Sequence, residues 1–168
     1  MTRRRVVVSG LGCVSPLGVG VEATWDGLVN GRSGVETITS FDPSRLPTQF
    51  AGECRDFRAE DHFPRVESKK IDRFAQLSLV CAKESLEDSG LLESEYDPER
   101  VGVITGTGIG GINELESQDR LMMERGPSRI SPFFIPKMMA NAMAGVISIR
   151  FGFQGTNFDD TWAWDGLN

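Results

Sequence analysis

Four glycines in six residues, Gly106-Thr-Gly-Ile-Gly-Gly111, are the densest chemical signal in this chain. They follow a β-branched run, Val101 to Thr105, that reads as a buried strand. They precede a helical pattern with Ile112, Leu115, Leu121 and Met122 among its apolar positions. Strand, glycine loop and helix make half of a βαβ unit. The glycines satisfy the dinucleotide pattern G-x-G-x-x-G, in which a pyrophosphate rests on the helix N-terminus. A dinucleotide fold then needs a second strand ending in Asp or Glu to hold the ribose. Here the helix runs instead into Gly126-Pro127 and a proline-rich loop, and no Walker lysine follows. The loop therefore offers close backbone approach without the residues that would complete a nucleotide cradle.

Other reactive side chains are few. Nucleophilic catalysis needs a nucleophile, a base and an orienting group. The one histidine, His62, stands among Asp61, Phe63 and Pro64 and reads as an exposed loop residue rather than a base. Cys13, Cys54 and Cys81 have no metal-ligand spacing, and an odd count suits a reduced compartment. Each reads as a small buried apolar residue. No metal site and no cofactor is expected.

The elements that must position these residues come from pattern and punctuation. The chain has 168 residues, enough for one domain with a sizeable core, and a formal charge of −6. That charge argues against nucleic acid as the main partner. No apolar run approaches a membrane span, and Val6-Val-Val8 is too short for a signal-peptide core, so a cytoplasmic location is expected. Arg5 to Ser9 reads as the first strand. Val21, Trp25, Leu28 and Val29 share a helical face that Gly31 ends, and Phe50 to Cys54 reads as a short strand. The strongest helical pattern runs from Arg65 to Asp88, with Ile71, Phe74, Ala75, Leu79 and Leu86 on an apolar face. Arg65, Lys69, Lys70 and Arg73 lie on the other face, which on these residues alone reads as a solvated helix side. Gly90 is the expected C′ residue. Three prolines between Gly126 and Pro136 exclude a long regular element, and a second helix is expected from Lys137 to about Ile149, with a surface of small residues. Interleaved strands and helices give an α/β class with a mixed or mostly parallel sheet. From the residues alone, the reading reaches a soluble α/β domain with a glycine-lined apolar loop.

Longer words carry a resemblance. Arg4-Arg-Val-Val-Val-Ser-Gly-Leu-Gly-Cys-Val-Ser-Pro-Leu-Gly18, then Trp25 with Leu28, Gly31 and Ser33-Gly34, resemble the opening of β-ketoacyl-acyl-carrier-protein synthases. Lys70-Ile-Asp-Arg-Phe74, Gly106-Thr-Gly-Ile-Gly-Gly111 and Ser131-Pro-Phe-Phe-Ile-Pro136 follow in the order and spacing of synthase II, the elongating type. The resemblance covers about residues 4–158. It implies a thiolase-like fold built of two similar βαβαβαββ halves, of which this chain would hold the N-terminal half, incomplete. It implies fatty acid biosynthesis by decarboxylative condensation of malonyl-acyl carrier protein with an acyl thioester. It implies a homodimer and an acyl-carrier-protein partner with its phosphopantetheine-linked acyl chain.

The resemblance also gives residues roles. Ile109, beside Gly108, matches a gate of the acyl pocket, and Phe134 matches a residue that reaches that pocket from the partner subunit. Ordinary core packing is the other reading of Phe134. Arg65, Lys69, Lys70 and Arg129 match a basic surface that docks the acidic carrier protein. One basic position of that surface is Val66 here. The likeness stops after Asn157. The stretch that holds the family's nucleophilic cysteine reads Asp160-Thr-Trp-Ala-Trp-Asp165, with Trp164 at the cysteine's place. Residues 1–158 are therefore expected to be a partial synthase domain and 159–168 a divergent tail. A fragment inactive alone is expected, and the alternatives are a non-catalytic partner subunit or a carrier-protein or lipid-binding module.

Overall fold

The computed structural model describes residues 4–161. In chain order the elements are β1 (Val14–Ser15), β2 (Gly18–Val19), α1 (Val21–Val29), β3 (Val35–Thr37), β4 (Phe50–Gly52), α2 (Arg65–Ser68) and α3 (Arg73–Ser89). Then follow β5 (Val103–Thr107), α4 (Ile112–Arg125), α5 (Phe134–Met138), α6 (Ala142–Phe151) and β6 (Asn157–Thr161). The chain divides into two compact units. The first runs up to Arg58 and resumes over Val80–Ser94, and the second takes Ala59–Leu79 and the described residues from Glu95 onward. No helix among the described residues is long and apolar enough to cross a membrane.

In the first unit, two antiparallel ribbons, β1–β2 and β3–β4, flank α1 in sequence. The expected strand over Arg5–Ser9 does not form. Residues 4–13 join no ladder, and Val6 and Val8 are 96% and 81% exposed. The expected apolar face of α1 is likewise open, with Trp25 and Leu28 exposed and Gly27 the buried residue, packed on Leu17. What orders the start of the chain is α3. A Cβ on Gly10 would lie 2.2 Å from the Ser85 carbonyl, and one on Gly12 would lie 1.9 Å from that of Cys81. Only glycine permits that approach. Side chains of α3 then take the loop's amides. Glu84 Oε2 accepts from Cys13 N–H (2.8 Å), its Oε1 from Val21 N–H (2.7 Å), and Asp88 Oδ2 from Leu11 N–H (2.8 Å).

The second unit is built on the parallel pair β5–β6, with Val103 opposite Asn157 and Thr107 opposite Thr161. A parallel pair needs a long crossover, and α4, α5 and α6 supply it. The core gathers Phe63, Ala75, Leu79, Val103, Met143, Ala144, Ile147 and Phe153. Ala144 is wholly buried, as the small-residue surface of this helix predicts, and Asn157 Nδ2 ties β6 to α6 through the Ala144 carbonyl (2.9 Å) and Ser148 Oγ (2.6 Å).

Three expected elements differ in the second unit and at its border. The strand starts at Val103 rather than Val101 and is buried on one side only, with Ile104 67% exposed, because β5 sits in a two-stranded sheet with an uncovered face. The single helix expected over 65–88 is two. Asp72 starts α3 afresh, its Oδ1 accepting from Phe74 N–H (3.3 Å), and buried Gln76 donates to the Ser68 and Ile71 carbonyls (both 2.8 Å), satisfying the end of α2. The helix expected from Lys137 also divides. Pro136 falls within the short α5, where proline is tolerated in the first turn, and α6 begins only at Ala142.

Candidate functional site

Four residues, Gly108 to Gly111, join β5 to α4. Thr107 Oγ1 accepts from Gly110 N–H (3.2 Å) and sets the turn. Gly110 has φ +80°, and a Cβ there would lie 2.9 Å from the Met138 carbonyl. A Cβ on Gly111 would lie 2.8 Å from the Lys137 carbonyl, and Gly111 N–H donates to the Met138 carbonyl (3.1 Å). The space beside these two glycines is therefore filled by the end of α5. Gly108 is different, because nothing lies within 4 Å of where its Cβ would be. Ile109, between them, is 66% exposed. The loop thus holds an isoleucine outward on a pinned backbone, beside an open glycine.

The loop is no phosphate cradle. The first turn of α4 carries Glu114, whose side chain is 8% exposed, and a carboxylate there opposes an anion at the helix N-terminus. Glu114 Oε2 pairs with Lys137 Nζ of α5, and its Oε1 accepts from Gln118 Nε2 (3.0 Å). Gln118 Oε1 in turn accepts from Ser131 N–H (2.8 Å). Asp72 feels the same pair of charges. Burial pushes its carboxyl above the usual range, Lys137 draws it down and Glu114 pushes it up. This polar network escaped sequence reading. Glu114 and Gln118 stand one turn apart and so share a face of α4, but Lys137 is 23 residues from Glu114 with no local pattern joining them.

Phe134 opens α5 and is half-buried, its N–H donating to the Ser131 carbonyl (3.0 Å). Its neighbour Phe133 is 42% exposed and lies under the Lys70 ammonium, 5.5 Å from the ring centroid. A cation over an aromatic face at such a site contributes roughly 0.5–1 kcal/mol. Arg65 begins α2, and Lys69 follows its last residue; both are exposed, as is Lys70. Glu67, the acidic residue between them, pairs with Arg150 of α6 and so does not neutralise its basic neighbours. Arg129 ends a 3-10 turn at Pro127–Arg129 and is exposed. The fold therefore joins Lys70 to the Phe133–Phe134 segment and that segment to the glycine loop.

His62 is exposed, with its ring 6.3 Å from that of Phe63. The three cysteines are half-buried rather than fully buried, and burial pushes the Cys81 thiol up. Among the described residues no group of three or more His, Cys, Asp or Glu could hold a metal ion. Trp164 lies outside the described residues.

Against known proteins, residues 3–159 match the family described as beta-ketoacyl synthase, N-terminal domain. The chain is 40% identical over 157 residues to 3-oxoacyl-[acyl-carrier-protein] synthase 2 of Synechocystis sp., covering 94% of this chain and 38% of that protein. The same figures hold for the synthase 2 of Vibrio harveyi, and that of Staphylococcus aureus (strain COL) is 38% identical, over 92% of this chain and 37% of that protein. The chain thus spans well under half the length of the curated relatives it matches. Among solved structures, the ishigamide ketosynthase/chain length factor superposes with a TM-score of 0.81 at 30% identity, over 95% of this chain and 40% of that one. A beta-ketoacyl synthase from Burkholderia phymatum STM815 gives 0.70 at 19% identity, over 91% of this chain and 38% of that one. A type II polyketide-synthase ketosynthase, in complex with its acyl carrier protein, gives 0.72 at 23% identity, over 96% of this chain and 42% of that one. The α/β fold is accordingly the thiolase-like fold of the ketosynthases, in part, and the chain belongs to the β-ketoacyl synthase family by its N-terminal domain.

Proposed function

We propose that this chain is the N-terminal part of an elongating 3-oxoacyl-[acyl-carrier-protein] synthase, an acyltransferase of fatty acid biosynthesis. In that reaction a malonyl thioester loses carbon dioxide. The carbanion left behind attacks an acyl thioester carbonyl, a carbon–carbon bond forms and the thiol leaves. The share assigned to this chain is recognition rather than bond making. Ile109, with Gly108 leaving space beside it, is the movable wall of the acyl pocket. Phe134 is the second wall, acting in a homodimer. Arg65, Lys69, Lys70 and Arg129 form the surface that receives the acidic carrier protein.

The observation that carries this reading is the outward Ile109 on a backbone pinned by α5, the same short helix that bears Phe134. An acyl chain needs an apolar lining with room beside it, and a phosphate needs neither. Lys70 over Phe133 adds a positive charge beside that helix, where a carrier protein would deliver its acyl group. The solved ketosynthase that holds an acyl carrier protein supports such a partner. With Trp164 at the cysteine's place, the chain alone forms no acyl-enzyme.

Titration of the chain with an acylated carrier protein, followed by fluorescence anisotropy, tests the reading. Binding that weakens with salt, and about tenfold further in Lys69→Glu, is the expected result. Absence of binding, or equal binding by Lys69→Glu and Lys70→Glu, overturns it. Mass spectrometry after exposure to an acyl thioester should find no adduct within residues 155–168, and finding one there overturns the non-catalytic assignment.

A further inference from the structure

The segment from Ser131 to Met138 carries Phe133 and Phe134 and is fastened to α4 and its entry loop at both ends. At its start, Ser131 N–H donates to Gln118 Oε1 (2.8 Å). At its end, Lys137 Nζ pairs with Glu114 Oε2, and the Met138 carbonyl accepts from Gly111 N–H (3.1 Å). The bond from Gln118 Nε2 to Glu114 Oε1 (3.0 Å) makes the two fastenings one network. The pair is deep, with 8% of the Glu114 side chain and 16% of the Lys137 side chain exposed.

Stability alone does not call for such an arrangement. The desolvation of a buried ion pair offsets much of its attraction, and apolar residues of similar volume often serve as well. What the network adds is a fixed register. An apolar contact tolerates sliding, whereas a carboxylate whose two oxygens hold two different donors leaves one of them bare if either moves. Both donors lead to the ends of the Phe134 segment, and Glu114 itself stands one turn from the glycine loop. A shift of α5 along α4 would therefore cost hydrogen bonds at both ends together.

We propose that Glu114, Gln118 and Lys137 are positioning residues that hold Phe134 at one fixed place on α4 and so set, in the homodimer where Phe134 is a wall of the partner subunit's pocket, which acyl-chain lengths that pocket discriminates. The inference rests on the acyl-pocket reading of Ile109 and Phe134. Residues in this network touch no substrate; they act through the backbone of α5.

The test measures binding of acyl-pantetheines from about 4 to about 16 carbons to the full chain by calorimetry, as the ratio of best to worst affinity. Variants are Glu114→Gln, Gln118→Met and the reversed pair Glu114→Lys with Lys137→Glu. Gln118→Met removes both amide contacts, keeps the ion pair and has nearly the same shape, so it reports even where Glu114→Gln fails to fold. The expected result is a ratio about tenfold flatter in the two single variants, the loss of roughly one buried hydrogen bond, and recovery in the reversed pair. An unchanged ratio in folded Gln118→Met and Glu114→Gln overturns the positioning role and leaves the acyl pocket standing. No binding at any length by the unaltered chain overturns the pocket reading, and the positioning role with it.

Discussion

As sequence, Gly10-Leu-Gly12 of the first unit resembles Gly108-Ile-Gly-Gly111 of the second unit, each a cluster of glycines around one branched apolar residue. Their surroundings differ. Around Gly10 and Gly12 the space is taken by the backbone of α3, and Glu84 and Asp88 hold the amides on either side. In the other loop the work is divided, since Gly110 and Gly111 are packed against α5 while Gly108 faces open space. The first cluster is packed at both of its glycines. The other anchors half of itself so that the remainder can present Ile109. Glycine content thus says that something comes close. The direction of the missing Cβ says whether that something is already present.

Four substitutions probe how far the two loops differ. Gly12→Ala has the largest expected effect, because its Cβ would collide with a helix carbonyl that cannot turn aside. A loss of about 3 kcal/mol or more, read as a fall in the urea midpoint, is expected. Glu84→Ala follows at about 2 kcal/mol, since two amides lose their acceptor at once, and faster hydrogen exchange at Cys13 and Val21 marks the cause. Within the Ile109 loop the two kinds of glycine separate. Gly111→Ala costs about 2 kcal/mol by overpacking, whereas Gly108→Ala stays within about 0.5 kcal/mol, and equal effects of the two would erase the difference between a packed and an open glycine.

The smallest effect is one of pH, at Asp72. Its carboxyl lies above the usual 3.8, chiefly through burial, so the folded state binds that proton more tightly than the unfolded state does. The stability linked to it is present at pH below 3.8 and is lost as pH rises through the folded value. Asp72→Asn keeps an acceptor for Phe74 N–H and removes the charge. It should melt above the unaltered chain at neutral pH, with the difference closing as the buffer is acidified.

Much of the fold was legible where the signal is local. The stop of α1 at Gly31, the end of α3 at Gly90 and the strand–loop–helix around Gly108 follow from capping and turn chemistry, and both cap glycines have positive φ, +64° and +65°. What was not legible depends on partners distant in sequence. Val6-Val-Val8 has the composition of a strand, but a strand exists only where another offers its ladder, and residues 4–13 find none among the described residues. The break between α2 and α3 turns on Gln76 reaching back to Ser68, a contact that the apolar period does not encode. At the site, family resemblance pointed to Ile109 and Phe134, while the network that joins their elements depends on Lys137 meeting Glu114 across the proline-rich loop. Its charges look like ordinary surface residues until α5 is placed.

The parallel pairing of β5 with β6 also has a consequence in time. Thr105 and Asp159, hydrogen-bonded at 2.6 Å across this pair, are 54 residues apart in the chain. A ladder of such separation forms only after the intervening helices have brought its strands together, and loop closure over that distance is slow. During synthesis β5 must therefore wait, its edge unpaired, until Thr161 has left the ribosome. Over that interval Val103, later buried against β6 and α6, stands beside Ile104 on an open edge of the kind that templates misassociation. The second unit's vulnerability thus belongs to its assembly as well as to its finished form, and a chaperone that shields β5 during translation would protect it best.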